Sequence, residues 1–335
     1  MAENSYSSGR LATVFGGSGF VGRHVVRARA RAGWRVRAAV RRPDLAGFLR
    51  PLGVVGQIEA VQANLRYPDS VSAAVAGADA VVNAVGIRRQ SGRQTYEAVH
   101  AEGAGEIARA AASEGTRALV LISGIGADAA SPNRFVASKG RGEAATVAAF
   151  PRAVVLRPSA IFGPEDDFLN RFAALARVSP ALPLIGGGAI KLQPAFVGDV
   201  ALAAARALDD ASAAGRTYEL GGPETLTLRE TIERVLKIVE RRRALVPLPF
   251  GLARLIAGAT ELSAAVSLGI FPKALVVTRD EVELLRFDNV VSAAAIAEGR
   301  ALSDLGVRPR GLEAVAPAYL YRFRKTGQYA GGRLA

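Results

Sequence analysis

Leu11-Ala12-Thr13-Val14-Phe15-Gly16-Gly17-Ser18-Gly19-Phe20-Val21-Gly22 is a short apolar run that breaks into glycines. Gly19–Ala32 then follows a helical period, so the pattern is a strand that turns through glycine into a helix. Such a turn aims free backbone N–H groups and the positive end of the helix dipole at one point in space. The spacing fits G-x-G-x-x-G from Gly17 and G-x-x-G-x-x-G from Gly16. Glycine there permits the tight turn, the close approach of backbone to a pyrophosphate, and tight packing of helix on strand. Gly16, Gly17, Ser18, Gly19, Phe20, Val21 and Gly22 are therefore candidate dinucleotide-binding residues.

The rhythm continues downstream. Strands are expected at Arg35–Val40, Ile58–Gln62, Ala80–Asn83, Ala118–Ile122 and Ala153–Arg157, with helices at Glu97–Ser113 and Ala137–Ala149. Strands alternating with helices predict an α/β fold, a Rossmann-type doubly wound parallel sheet. After Pro158 the pattern changes to Pro- and Gly-rich loops and short helices, among them Val200–Leu208. Thr227-Leu228-Arg229-Glu230 is a capping box that opens a helix to about Arg241. The expected division is 1–160 for the dinucleotide-binding domain and 161–335 for a smaller C-terminal α/β lobe, the two interleaved.

The end of the second strand selects the nucleotide. An NAD site usually places a carboxylate about 20 residues past the glycines, on the ribose diol. Here Arg41 and Arg42 stand 19 and 20 residues past Gly22. Two guanidiniums bind a 2′-phosphate that a carboxylate would repel, so NADP(H) is expected.

Composition narrows the rest. The 335 residues carry 43 basic and 30 acidic side chains, a formal charge of +13. The excess sits at the ends: +8 in residues 1–50, +5 in residues 306–335, and none between. The absence of Cys excludes disulfides and thiolate chemistry. His24 and His100, read as helix-surface residues, are too far apart to suggest a metal site. Leu255–Pro272 contains Glu261 and small-residue breaks and makes a poor membrane span. The strand pattern begins at Leu11, which leaves little room for a leading targeting segment and points to a bacterial source.

These motifs resemble the extended or atypical short-chain dehydrogenase/reductase superfamily across residues 11–230. Matching pieces are the glycine loop, Asn64-Leu65 beside the adenine, and Asn83-Ala84-Val85-Gly86 after the fourth strand. Ser123, Lys139 and Arg157-Pro158-Ser159 match as well. The resemblance implies cofactor contacts at Asn64, Leu65, Ala84, Gly86, Ser123, Lys139 and Pro158. In active members a Tyr lies four residues before the Lys and exchanges a proton with the substrate while the Lys holds the nicotinamide ribose. That position is Phe135 here. General acid catalysis contributes about 10²–10⁴-fold, so Ser123, Phe135 and Lys139 form a degenerate site that keeps the cofactor and drops the acid. Tyr96, four residues before His100, is not read as a substitute, and Asp166 and Asp167 read as solvated charges.

Further stretches resemble a narrower family, the nucleotide-binding, dehydrogenase-like accessory subunits of respiratory complex I. They are Arg157–Phe172, Gln193–Val200, Asp288–Ser292 and the tail from Tyr319 to Tyr329. The resemblance implies tightly held NADPH without turnover, and partners among the subunits near the quinone-reducing end of the peripheral arm. It also implies a peripheral place on the cytoplasmic side of a bacterial inner membrane, or on the matrix side in mitochondria. The Arg23/Arg27/Arg31 face and the aromatic-cationic tail are candidate docking surfaces; the apolar stretch Leu245–Val277 reads as core of the lobe or, alternatively, as a surface against a partner or the membrane, and no contact with nucleic acid is expected. Two other classes stay open: an active NADP-dependent reductase or epimerase with a replacement acid, and a dinucleotide-sensing regulator.

Overall fold

The structure, a computed structural model, describes residues 9–266, 278–325 and 327. It divides into two units. The first comprises Met1–Pro158, Val197–Leu220 and Val291–Arg308, and the second Ser159–Phe196, Gly221–Val290 and Pro309–Ala335.

The first unit is built on one seven-stranded parallel sheet. Its strands are β1 (Leu11–Phe15), β2 (Arg35–Val40), β3 (Ile58–Gln62), β4 (Ala80–Asn83), β5 (Ala118–Ile122), β6 (Val154–Pro158) and β7 (Thr217–Leu220). Their order is β7-β6-β5-β4-β1-β2-β3, with Ala12 opposite both Val36 and Ala80. The chain winds outward in one direction from β1 to β3 and in the other from β4 to β7, so the order reverses between β1 and β4. Central strands are apolar along their length because helices cover both faces; β4 is buried throughout.

The helices are α1 (Phe20–Arg31), α2 (Pro68–Val75), α3 (Gly103–Ser113), α4 (Arg134–Ala149) and α5 (Val197–Asp209). One layer is α2, α3 and α4, the other α1 and α5. The first layer closes over Phe15, Val81 and Leu119 of the sheet with Val71, Val75 and Ile107. In the second, Arg29 is wholly buried. It donates to Asp209 at 2.7 Å and to the Ala205 carbonyl at 3.0 Å, and its guanidinium lies 3.8 Å from the Trp34 ring centre. The pair joins α1 to α5 across 180 residues of sequence.

The structure departs from the sequence-based helix boundaries in two places. The helix expected at Ala137 begins at Arg134, because the Asn133 side chain accepts from the Phe135 and Val136 amides. The single helix expected over Glu97–Ser113 starts as a wider turn, a π-helix over Glu97–Glu102, before α3. The first unit runs to Pro158 and takes in α5, β7 and residues 291–308 as well. β7 pairs with β6, and the Glu219 amide donates to the Arg300 carbonyl at 2.9 Å.

The second unit combines short strand pairs with helices. Ala181–Ile185 runs parallel to Ala244–Leu248, Ile161–Phe162 pairs with Ala195–Phe196, and Lys191–Leu192 lies antiparallel to Leu226–Thr227. Helix Leu228–Ile238 starts from the expected capping box at Thr227 and Glu230. Its buried face, Ile232 and Val235, packs with Leu182, Leu184, Phe162, Ala173 and Leu320. Within Leu245–Val277, Ala253 and Ala257 are buried, whereas Leu252, Leu255 and Ile256 are exposed; residues 267–277 lie outside the described residues.

Candidate functional site

All strands of the sheet are parallel, so every strand-end motif opens on the same edge. Gly16 follows β1, Arg41 follows β2, Asn64 follows β3, Ala84 follows β4, Ser123 follows β5, and Pro158 ends β6. The reversal of strand order between β1 and β4 makes a crevice there, the place where open α/β sheets bind ligands.

At its floor the glycine loop is required in glycine. Gly16 has φ +74°, and an ideal Cβ on it would stand 2.9 Å from the Ala84 carbonyl oxygen. A Cβ on Gly22 would stand 2.1 Å from the Gly16 oxygen, so any side chain there would push the loop off α1. The N-terminus of α1 has Gly19 as its cap, no side-chain cap and no acidic residue in its first turn. Its N–H donors are left to an anion. Arg23 holds the loop from the helix side through the Ser18 and Gly19 carbonyls, at 2.9 and 3.1 Å.

On the β2 and β3 side, Arg41 and Arg42 are exposed. Arg42 pairs with Asp44 at 2.6 Å, which moves its guanidinium partly onto a carboxylate of its own loop. The Asn64 side chain accepts from the Arg66 amide at 3.2 Å, and Leu65 packs beside Gly103.

On the β4 and β5 side, Lys139 comes up from α4 and donates to the Ile122 carbonyl at 3.4 Å. Burial lowers its ammonium to about 8, against a smaller opposing pull from Glu143. An ideal Cβ on Gly86 would stand 3.6 Å from Lys139 Nζ and 3.8 Å from His100 Nε2. The Ser123 hydroxyl is buried with no hydrogen-bond partner. An orphaned buried donor costs about 1–3 kcal/mol, and a ligand hydroxyl or carbonyl would satisfy it. Phe135 is half-buried and turns its ring edge-on to Tyr96 and His100, with both centroid distances 5.4 Å. The Tyr96 hydroxyl donates to the Arg88 carbonyl at 2.8 Å.

His100 corrects the sequence-based expectation. It is 4% exposed, at the centre of this cluster rather than on a helix surface. The wider turn at Glu97–Glu102 delivers it inward, stacked 5.6 Å from Tyr96. Burial and the neighbouring Lys139 charge depress the imidazole to about 3, so it is neutral. The signal in the sequence was its place four residues after Tyr96, on one helix face. His24, by contrast, sits half-buried on α1 beside Phe20.

Asp166 is a second correction. It is 3% exposed and accepts from the amides of Gly163, Phe168 and Asn170 and from the Tyr319 hydroxyl, each at 2.9 Å. Burial raises its carboxyl above the usual range. The start of the aromatic tail is thereby folded into the second unit: Tyr319 and Leu320 are buried, and Arg322 binds Asn170. Gln328 and Tyr329 lie outside the described residues. Among the described residues no cluster of His, Cys, Asp and Glu could hold a metal ion.

The first unit's crevice therefore fits a nicotinamide dinucleotide: a glycine cradle, an uncapped helix start, an orphaned Ser123 hydroxyl and an enclosed Lys139. A family described as NAD(P)H-binding matches residues 16–154. The chain is 18% identical to the dTDP-glucose 4,6-dehydratase of Streptomyces venezuelae solved with NAD, covering 96% of this chain and 98% of that one with a TM-score of 0.67. It is 35% identical to ceramide reductase of Caulobacter vibrioides over 52% of its own length and 54% of that protein. It is 32% identical to NADH dehydrogenase (ubiquinone) 1 alpha subcomplex subunit 9 of Arabidopsis thaliana, over 98% of this chain and 81% of the relative. That match runs through both units, and the chain belongs to the family of complex I alpha subcomplex subunit 9.

Proposed function

We propose that the chain is an accessory, non-catalytic subunit of respiratory complex I that holds NADP(H), as NADPH, as a structural ligand. It would lie on the peripheral arm near the quinone-reducing end, associated with the inner membrane on its cytoplasmic or matrix side. The observation that carries the proposal is similarity to a complex I subunit along 98% of the chain, well past the nucleotide-binding segment that ends at 154. No helix among the described residues is long and apolar enough to cross a membrane, which suits a peripheral place.

When bound, NADP(H) supplies a hydride donor or acceptor. Gly16 to Gly22 would hold its pyrophosphate, Arg41 and Arg42 its 2′-phosphate, Asn64 and Leu65 its adenine, and Ala84, Gly86, Ser123, Lys139 and Pro158 its nicotinamide half. Phe135 supports the non-catalytic part: it fills the place of a proton donor with a ring that cannot ionise. The nearest phenol, Tyr96, spends its hydroxyl on a backbone carbonyl. Similarity to reductases covers half to two thirds of the chain, against 98% for the complex I subunit, and leaves that proton donor unaccounted for.

A double variant, Arg41→Asp with Arg42→Asp, tests the clamp. It should lose NADPH on gel filtration and assemble poorly into the complex. Undiminished NADPH retention would refute the 2′-phosphate assignment.

A further inference from the structure

We infer that His100 is a positioning residue for the nicotinamide half of the dinucleotide, acting through the segment Ala84–Ile87; the inference rests on the nucleotide site proposed above.

The hydrogen bonds around the imidazole have a single consistent direction. The Ile87 amide donates to His100 Nε2 at 3.0 Å, so that nitrogen carries no proton. The Ser138 hydroxyl gives its proton to the Phe135 carbonyl at 2.7 Å. Its oxygen is then free to accept from His100 Nδ1, 2.9 Å away. The chain Ile87 N–H to imidazole, imidazole N–H to Ser138, and Ser138 O–H to Phe135 ties the loop after β4 to the first turn of α4. The Ile87 link needs a neutral His100 that carries its proton on Nδ1. The Tyr96 ring stacked on one side and the Phe135 ring edge-on hold the imidazole plane.

The tie fixes the part of the crevice that faces Lys139. Gly86 lies beside both: an ideal Cβ on it would stand 3.6 Å from Lys139 Nζ and 3.8 Å from His100 Nε2. Without an acceptor for the Ile87 amide, residues 84–87 keep their bonds at the strand end, the Ala84 amide to the Phe15 carbonyl and the Val85 amide to the Asn83 side chain, both at 3.0 Å. The loop would then no longer stand at a fixed distance from Lys139. The adenosine half is served elsewhere, by residues after β2 and β3, so a defect at His100 should be felt at one end of the ligand only.

Two probes separate the ends: NADPH, and 2′,5′-ADP, which lacks the nicotinamide half. Calorimetry on the full chain should show His100→Ala losing roughly tenfold in NADPH affinity, the scale of one or two hydrogen bonds. Affinity for 2′,5′-ADP should stay unchanged. His100→Gln, whose amide oxygen can accept from Ile87, should recover most of the loss. Equal loss of both ligands, no loss of either, or a Gln variant as weak as Ala would overturn the inference. Wild-type protein that binds neither probe would instead overturn the nucleotide site itself.

Discussion

Lys139 shows how burial sets what one residue can do. Enclosure brings its ammonium down to about 8, so it stays charged in neutral buffer and discharges within an accessible range. In the proposed complex the charged form holds the ribose and the bound state favours the proton. NADPH affinity should be flat below pH 8 and fall by up to about tenfold per pH unit above it. Lys139→Met should bind more weakly at neutral pH and show no such fall; a wild-type profile flat to pH 9.5 would remove Lys139 from the ligand. His100 titrates in the opposite sense for stability. Its folded-state value, about 3, lies below the ordinary 6.5, so the stabilisation is complete above 6.5 and drains away as pH falls towards 3. The slope approaches about 1.4 kcal/mol per pH unit. Urea midpoints measured from pH 7 to pH 5 should drop faster for wild type than for His100→Gln, and parallel curves would contradict the burial of a neutral imidazole.

At the scale of elements, the crossing of α4 over the turn at Glu97–Glu102 holds the cluster together. An ideal Cβ on Gly142 would stand 2.0 Å from the His100 carbonyl oxygen. Gly→Ala within an exposed helix gains about 1 kcal/mol. Here overpacking, about 1–3 kcal/mol or more, should reverse the sign, and Gly142→Ala should lower Tm and loosen NADPH. A Tm equal to or above wild type would show that the helices can part without cost. Asn133→Ala should cost about 1 kcal/mol through the lost cap, displacing Phe135 at the start of the same helix. Much at this scale was legible in advance. Every strand of the sheet through β6 lies within a residue of its expected bounds, because the central strands, buried on both faces, read as apolar runs, and the outer β2 and β3 keep enough Val, Ile and Ala to be seen. The inward turn at His100 was not. A helical period places residue 100 by its neighbours in sequence, and a one-residue widening of the turn rotates it into the crevice.

Over the whole molecule, the excess positive charge has a different use from the one its position suggested. Of the N-terminal arginines, Arg29 is buried against Asp209 and Trp34. Arg37 binds the Ala74 and Ala76 carbonyls, and Arg23 binds the glycine loop. At the other end Arg324 reaches the Ile238 carbonyl and Glu240. These guanidiniums terminate helices and join segments distant in the chain, and sequence alone did not separate them from Arg27 and Arg31, which stay exposed. Partners 180 residues apart leave no local signature. The site was more legible, since each glycine-loop and strand-end residue sits next to a recognisable boundary. A ligand held by the folded state alone adds about 4 kcal/mol of stability at a thousandfold excess over Kd. NADPH should therefore raise Tm well above the shift NADH gives, and Arg41→Ala with Arg42→Ala should erase the difference. Equal shifts with both nucleotides would remove the case for the phosphate clamp.

In the proposed function this chain brings a resident NADPH into complex I. The most direct test of that role is the nucleotide content of complex I purified from native membranes, with and without the gene for this chain. The wild-type complex should carry stoichiometric NADPH together with this chain, and the deletion should lose both. A complex that lacks this chain, or that keeps its NADPH after the deletion, would contradict that role.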